Sequence, residues 1–171
     1  MLRSKIVSVY QKIQQLADTH PWVFPVSLFL ISLITYGVFI SSLGFYWDDW
    51  SPVLVNRVFG NAAFWKFYAF DRPSSAWTYV LITPLLDGHP LAWQIFTLTL
   101  RWLTAAAMYW TFAAVWPAAR RALAAAALLF LVYPVFSQQS LSVTYHQLWV
   151  EYVLFFVSLG AMVRAVRALS S

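Results

Sequence analysis

Two carboxylates stand side by side in Phe45-Tyr46-Trp47-Asp48-Asp49-Trp50, inside an aromatic clamp and directly after a long apolar run. Carboxylates are costly within a bilayer and ordinary just outside it, so an acidic pair at the exit of an apolar segment is a pointed placement. Two kinds of chemistry suit such a pair: a general base that takes a proton from an acceptor, or a ligand for a divalent metal. The plainer reading is an aromatic belt whose two solvated acids end the apolar run. Other polar groups could work with the pair: the Asp71-Arg72 turn, Gln138-Gln139, Tyr145-His146 and Glu151. Arg72 carries a fork of donors suited to a phosphate. Tyr145, His146 and Glu151 are the candidate substrate contacts, although Tyr145 also reads as belt and packing and His146 as an interfacial hydrogen-bonder. Asp71-Arg72-Pro73 is equally a plain turn with a local ion pair. No Gly-rich phosphate loop, His/Asp/Glu metal spacing or serine-nucleophile signature occurs. The chain has no cysteine, so thiol chemistry and disulfides are excluded.

The elements that must position these groups follow from composition and charge. Of 171 residues 61% are hydrophobic and 10% charged, with 10 Trp, 9 Tyr and 14 Phe. A soluble domain carries about 25% charged residues, so an integral membrane protein is expected. The net charge of +5 is spread in small clusters, without the continuous basic face that nucleic acid requires. Residues 1–20 read as an amphipathic helix on the membrane surface. Cleavage as a signal peptide is not expected, because the apolar run starts late, is too long and lacks a small-x-small site. Residues 22–44 form a first span. Residues 45–90 form an outer segment of interfacial helices: one from Ser51-Pro52 to Gly60-Asn61, an aromatic stretch from Phe64 to Phe70, and one over 76–86 after the Asp71–Ser75 turn. That segment is expected to fold back over the acids. Further spans are expected at 91–116, with Arg101 near the middle, at 122–136 and at 148–162. The fold class is thus an all-α polytopic membrane protein with four transmembrane helices. Seven basic residues (Arg3, Lys5, Lys12, Arg120, Arg121, Arg164, Arg167) fall on one side and three (Arg57, Lys66, Arg72) on the other. The positive-inside rule then puts both termini in the cytoplasm and Asp48-Asp49 outside. Arg101 and Glu151 are ionisable groups within expected spans, which mark function or pair with neighbouring helices.

A first span followed by an acidic pair and an outer segment of interfacial helices resembles the C-type (GT-C) membrane glycosyltransferases. The resemblance rests on Phe45-Tyr46-Trp47-Asp48-Asp49-Trp50, Asp71-Arg72-Pro73-Ser74-Ser75-Ala76-Trp77, His89-Pro90-Leu91, and Tyr133-Pro134 through Tyr145-His146. It covers nearly all the chain with short motifs. It implies transfer of a sugar from a polyprenyl-phosphate donor at the outer face of a bacterial-type plasma membrane. It also implies that Asp48 or Asp49 is the catalytic aspartate, with Asp48 preferred as the base and Asp49 supporting it or contributing to a divalent-metal site, which some members need. Family members have at least seven spans. The resemblance therefore implies partners: further spans after the fourth, or other membrane subunits that complete the donor site.

The competing expectation is a non-catalytic accessory subunit of a larger membrane complex, respiratory or photosynthetic. Its motives are the short length, the alanine run 124–127 that allows close helix packing, and the aromatic richness. A small transporter is less well supported, because no internal repeat is present.

Overall fold

The computed structural model describes residues 20–86, 88–133 and 139–170. The helix expected over 1–20 falls almost entirely outside the described residues, as do Asp87, Pro134 and Gln138. The described residues are all-helical, with no strand. Helix α1 (Val23–Ser32) runs on through a π-turn (Leu33–Gly37) and a 3-10 turn (Ile40–Ser42). Residues 45–90 hold α2 (Trp50–Phe59), α3 (Phe64–Phe67) and α4 (Ala76–Leu86). Then come α5 (Pro90–Val115), α6 (Arg120–Val132) and α7 (Ser142–Ser170).

Two segments, Val23–Ser42 and Ser142–Ser170, are long and apolar enough to cross a membrane. Helix α5 has 26 residues, enough in length at ~1.5 Å per residue. Gln94, three threonines and Arg101 on its buried face dilute its hydropathy. The segment expected as a third span, 122–136, is a 13-residue helix at Arg120–Val132 within the described residues. The segment expected as 148–162 is the middle of a 29-residue helix. Residues 142–147, ahead of the expected span, belong to this helix, and all of them but Tyr145 are buried.

Helices α5 and α7 form the spine of the molecule. Thr97 and Thr111 donate their hydroxyls to the carbonyls of Ser142 (3.0 Å) and Phe156 (2.6 Å), and Thr104, whose hydroxyl donates to Leu100 O of its own helix at 2.9 Å, lies 3.4 Å from Trp149 O. Both sides of this ladder advance by seven residues per rung, so the helices run parallel with a coiled-coil-like repeat. Thr, Ser and Gly at such a seam let backbones approach closely. At Gly160 an added Cβ would lie 2.6 Å from Thr111 Oγ1 and against the Trp110 ring. We expect Gly160→Val to cost about 2 kcal/mol through overpacking, read as a lowered melting temperature in detergent. An unchanged melt would contradict the close approach.

The remaining long helices dock on this spine. Helix α1 packs on α5 through Phe24 against Tyr109 and Phe29 against Trp102, and Trp102 Nε1 donates to Pro25 O at 2.8 Å. Arg101, fully buried, donates from Nε to Leu131 O of α6 (3.0 Å) and from Nη2 to Tyr36 Oη in the π-turn (2.6 Å). Its guanidinium lies 3.7 Å from the Tyr36 ring centre and 5.1 Å from that of Trp149. Of its two sequence readings, Arg101 follows the one in which it pairs with neighbouring helices.

The segment carrying α2, α3 and α4 closes on the first turns of α7. Gly60, at φ 79°, ends α2 in a backbone conformation that suits glycine, where Gly60-Asn61 was expected to stop it. The helix starts at Trp50, a residue earlier than expected, continuing out of a 3-10 turn at Trp47–Asp49. Helix α4 occupies the expected 76–86. Tyr79 lies against Phe64, Tyr68 and His146 (centroids 5.1, 4.6 and 4.6 Å), and Trp93 of α5 completes the stack. Offset and edge-on ring pairs of this kind add about 1 kcal/mol each beyond the area they bury.

Candidate functional site

The acidic pair is split by the backbone. Trp47 has φ 43°, the one positive value at a non-glycine among the described residues. A left-handed φ at a bulky residue costs about 1–2 kcal/mol, and such strain concentrates at functional sites. After this bend Asp48 is exposed and Asp49 is completely buried. Asp49 Oδ1 accepts the backbone N–H of Thr144 at 2.8 Å. Thr144 is the third residue of α7, so the carboxylate caps that helix from far away in the chain. Its other oxygen, Oδ2, has no hydrogen-bond partner among the described residues.

Burial pushes the Asp49 carboxyl up from its ordinary 3.8 to about 6, outweighing the opposing pull of Thr144, Tyr46 and Val143. Burial likewise raises the Tyr68 and Tyr79 phenols, and Tyr79 Oη donates to Thr144 O at 3.1 Å. Because the folded state holds the Asp49 proton more tightly than the unfolded chain, this group's contribution to stability is complete below about pH 4. It is lost as the pH rises through about 6. A neutral amide escapes that loss. Asp49→Asn is therefore expected to be more stable than the native protein at pH 8, by up to about 3 kcal/mol, and equal to it near pH 4. Thermal melts at the two pH values check this. A gap of the same size at both would refute it.

An open cleft of about 370 Å³ lies between the turn before α4 and helix α7. Asp71, Arg72, Ser74 and Ser75 line it from the turn before α4, and Tyr145, Gln147, Leu148 and Glu151 from α7. Arg72 Nε donates to Asp71 Oδ2 at 3.0 Å, so the ion pair is the local one that a plain turn would make, with both side chains partly exposed. Three of the expected substrate contacts, Arg72, Tyr145 and Glu151, thus share one cleft. His146 does not join them. It sits in the aromatic stack, with Nδ1 2.6 Å from Val143 O and Nε2 2.9 Å from Thr78 Oγ1. Gln139 is also buried, its Nε2 3.5 Å from Gln94 O. Neither Asp48 nor Asp49 lines the cleft.

The residues do not fit a metal. One acid of the pair is at the surface and the other is inside, and no group of three His, Cys, Asp or Glu is placed to hold an ion among the described residues. Ser74, Ser75 and Gln147 went unnoticed in the sequence. Gln147 could have been found, since it stands four residues before Glu151 and shares its helix face. The serines read simply as a helix start. No family model, curated protein or solved structure matches this chain.

Proposed function

We propose that this chain is the N-terminal portion, or a subunit, of a glycosyltransferase-like integral membrane protein using a polyprenyl-phosphate sugar at the outer face of a bacterial-type plasma membrane. The observation that supports it is the convergence of Arg72, Ser74, Ser75, Tyr145 and Glu151 on one cleft. In this reading the four expected spans, among them α1, α5 and α7, cross the membrane. Residues 45–90 lie on the outer leaflet, and both termini are cytoplasmic. Asp48, the accessible acid, takes the proton of an acceptor hydroxyl. The acceptor oxygen bonds to the anomeric carbon of the sugar, and the bond from that carbon to the phosphate oxygen breaks. Polyprenyl phosphate leaves with the electron pair, and Arg72 with the serine hydroxyls receives its charge. Glu151 and Tyr145 take hydrogen bonds from the sugar. Asp49 is a positioning residue, holding the acidic turn to the start of α7. Further spans or partner subunits complete the donor pocket. Asp48→Asn and Asp49→Asn in a transfer assay on the complete system test the reading, and undiminished activity in both would end it.

One observation favours a second reading, a non-catalytic accessory subunit of a larger membrane complex: Asp49, His146 and Arg101 all serve as ties between segments. Stoichiometric co-purification with a respiratory or photosynthetic complex, without bound lipid-phosphate sugar, would select it.

A further inference from the structure

The end of the bundle remote from Asp49 carries a second unassigned feature. Arg164 donates from Nη2 to Trp110 O at 2.9 Å and from Nη1 to Gly160 O at 3.3 Å, with its guanidinium 3.5 Å above the Trp110 ring. One turn on, Arg167 Nη2 donates to Val115 O at 3.0 Å, at the last residue of α5. The chain then turns through Trp116 and the 3-10 turn Pro117–Ala119 into α6, whose first two residues are Arg120 and Arg121. Both are exposed. Four guanidinium groups therefore share one end of the bundle. From Gly88 to the C-terminus the sequence holds a single acid, Glu151, which lines the cleft at the other end. Arg120 and Arg121 also stand at the positive end of the α6 dipole, so that charge adds to theirs. Exposed Trp116 and Val166 border the cluster with apolar surface.

We propose that this arginine end binds the headgroup of an anionic phospholipid, with Trp116 and Val166 against its acyl chains. Two guanidiniums are held in place by the end of α5 and by stacking, and each keeps donors in reserve. The other two extend from the neighbouring helix start. Like charges gathered at a bilayer surface attract anionic lipid, and basic pockets between helices select its headgroups. A free anion would use the charges but leave the apolar border unused. The inference rests on the membrane part of the reading above and is independent of sugar transfer.

The test uses the full chain in phosphatidylcholine bilayers containing about one-third phosphatidylglycerol, where attraction of anionic lipid to each arginine is appreciable. Lipid retained after detergent extraction is counted by native mass spectrometry. The native protein should retain phosphatidylglycerol in clear excess over its share of the bilayer. Arg120→Gln with Arg121→Gln should lower that excess about ten-fold, and adding Arg164→Gln and Arg167→Gln should erase it. Lys66→Gln, in the outer segment, should leave it unchanged. Arg164 and Arg167 also brace α5, so the Arg120/Arg121 pair keeps the test valid if the fourfold variant fails to fold. No excess in the native protein, or an excess indifferent to Arg120 and Arg121, overturns the proposal. Complete displacement by inorganic phosphate would overturn it as well, leaving a simple anion site. A chain that floats with vesicles yet retains no phosphatidylglycerol defeats this inference alone. One that does not float defeats the membrane reading itself.

Discussion

Asp48→Asn is expected to lower sugar transfer by the complete system about a thousand-fold, the usual loss when a general base is removed. The loss should fall on kcat and not on KM, because the carboxylate acts on the proton in flight and contributes little to holding either substrate. Stability should stay within about 0.5 kcal/mol, since Asp48 is exposed and the substitution is isosteric. That pattern sets it apart from its neighbour. Asp49→Asn should gain stability at alkaline pH while disturbing the turn that presents Asp48. A melting curve and a rate for each variant separate the two roles. Full activity in Asp48→Asn would remove the base from the proposed mechanism.

Arg101→Leu is expected to cost about 3 kcal/mol of stability, the largest effect of any single substitution considered. It would strand the Leu131 carbonyl in the core and leave the Tyr36 hydroxyl without its 2.6 Å partner, and such groups cost about 1–3 kcal/mol each. In a chain of this size the melting temperature should fall by about 10 °C. Arg101→Lys should recover only part of this, since an ammonium cannot reach both acceptors from a planar fork or lie flat on Tyr36 and Trp149. Combining Arg101→Leu with Tyr36→Phe should give less than the sum of the single losses, because both remove one bond. A melt of Arg101→Leu within two or three degrees of native would contradict this account.

Local signals made residues 45–90 the most legible part. Gly60 and the Asp-Arg-Pro-Ser-Ser turn each act through their own backbone, and the elements they bound came out where expected. The start of α7 was not legible. Ser142, Thr144, His146 and Gln147 are polar, and polarity near a membrane reads as loop until the partners that bury them are known. Those partners, Thr78 and Tyr79, sit in another helix. The division between Asp48 and Asp49 was equally hidden. Adjacent residues of one type can be separated only by the backbone between them, and nothing in the letters announces a left-handed Trp47. Arg72, Tyr145 and Glu151, which line one cleft, stood out in the sequence because charge or ring at the expected edge of a span is itself the signal.

The threonine rungs between α5 and α7 limit how this molecule can move. Each pairs a side chain on one helix with a backbone oxygen on the other, and all three keep the same offset. A slip of α7 along α5 by a fraction of a turn would therefore break the rungs together. The pair travels as one rod. Any opening of the cleft must come from the turn that carries Arg72, hinged on short loops, while the wall bearing Tyr145 and Glu151 stays still.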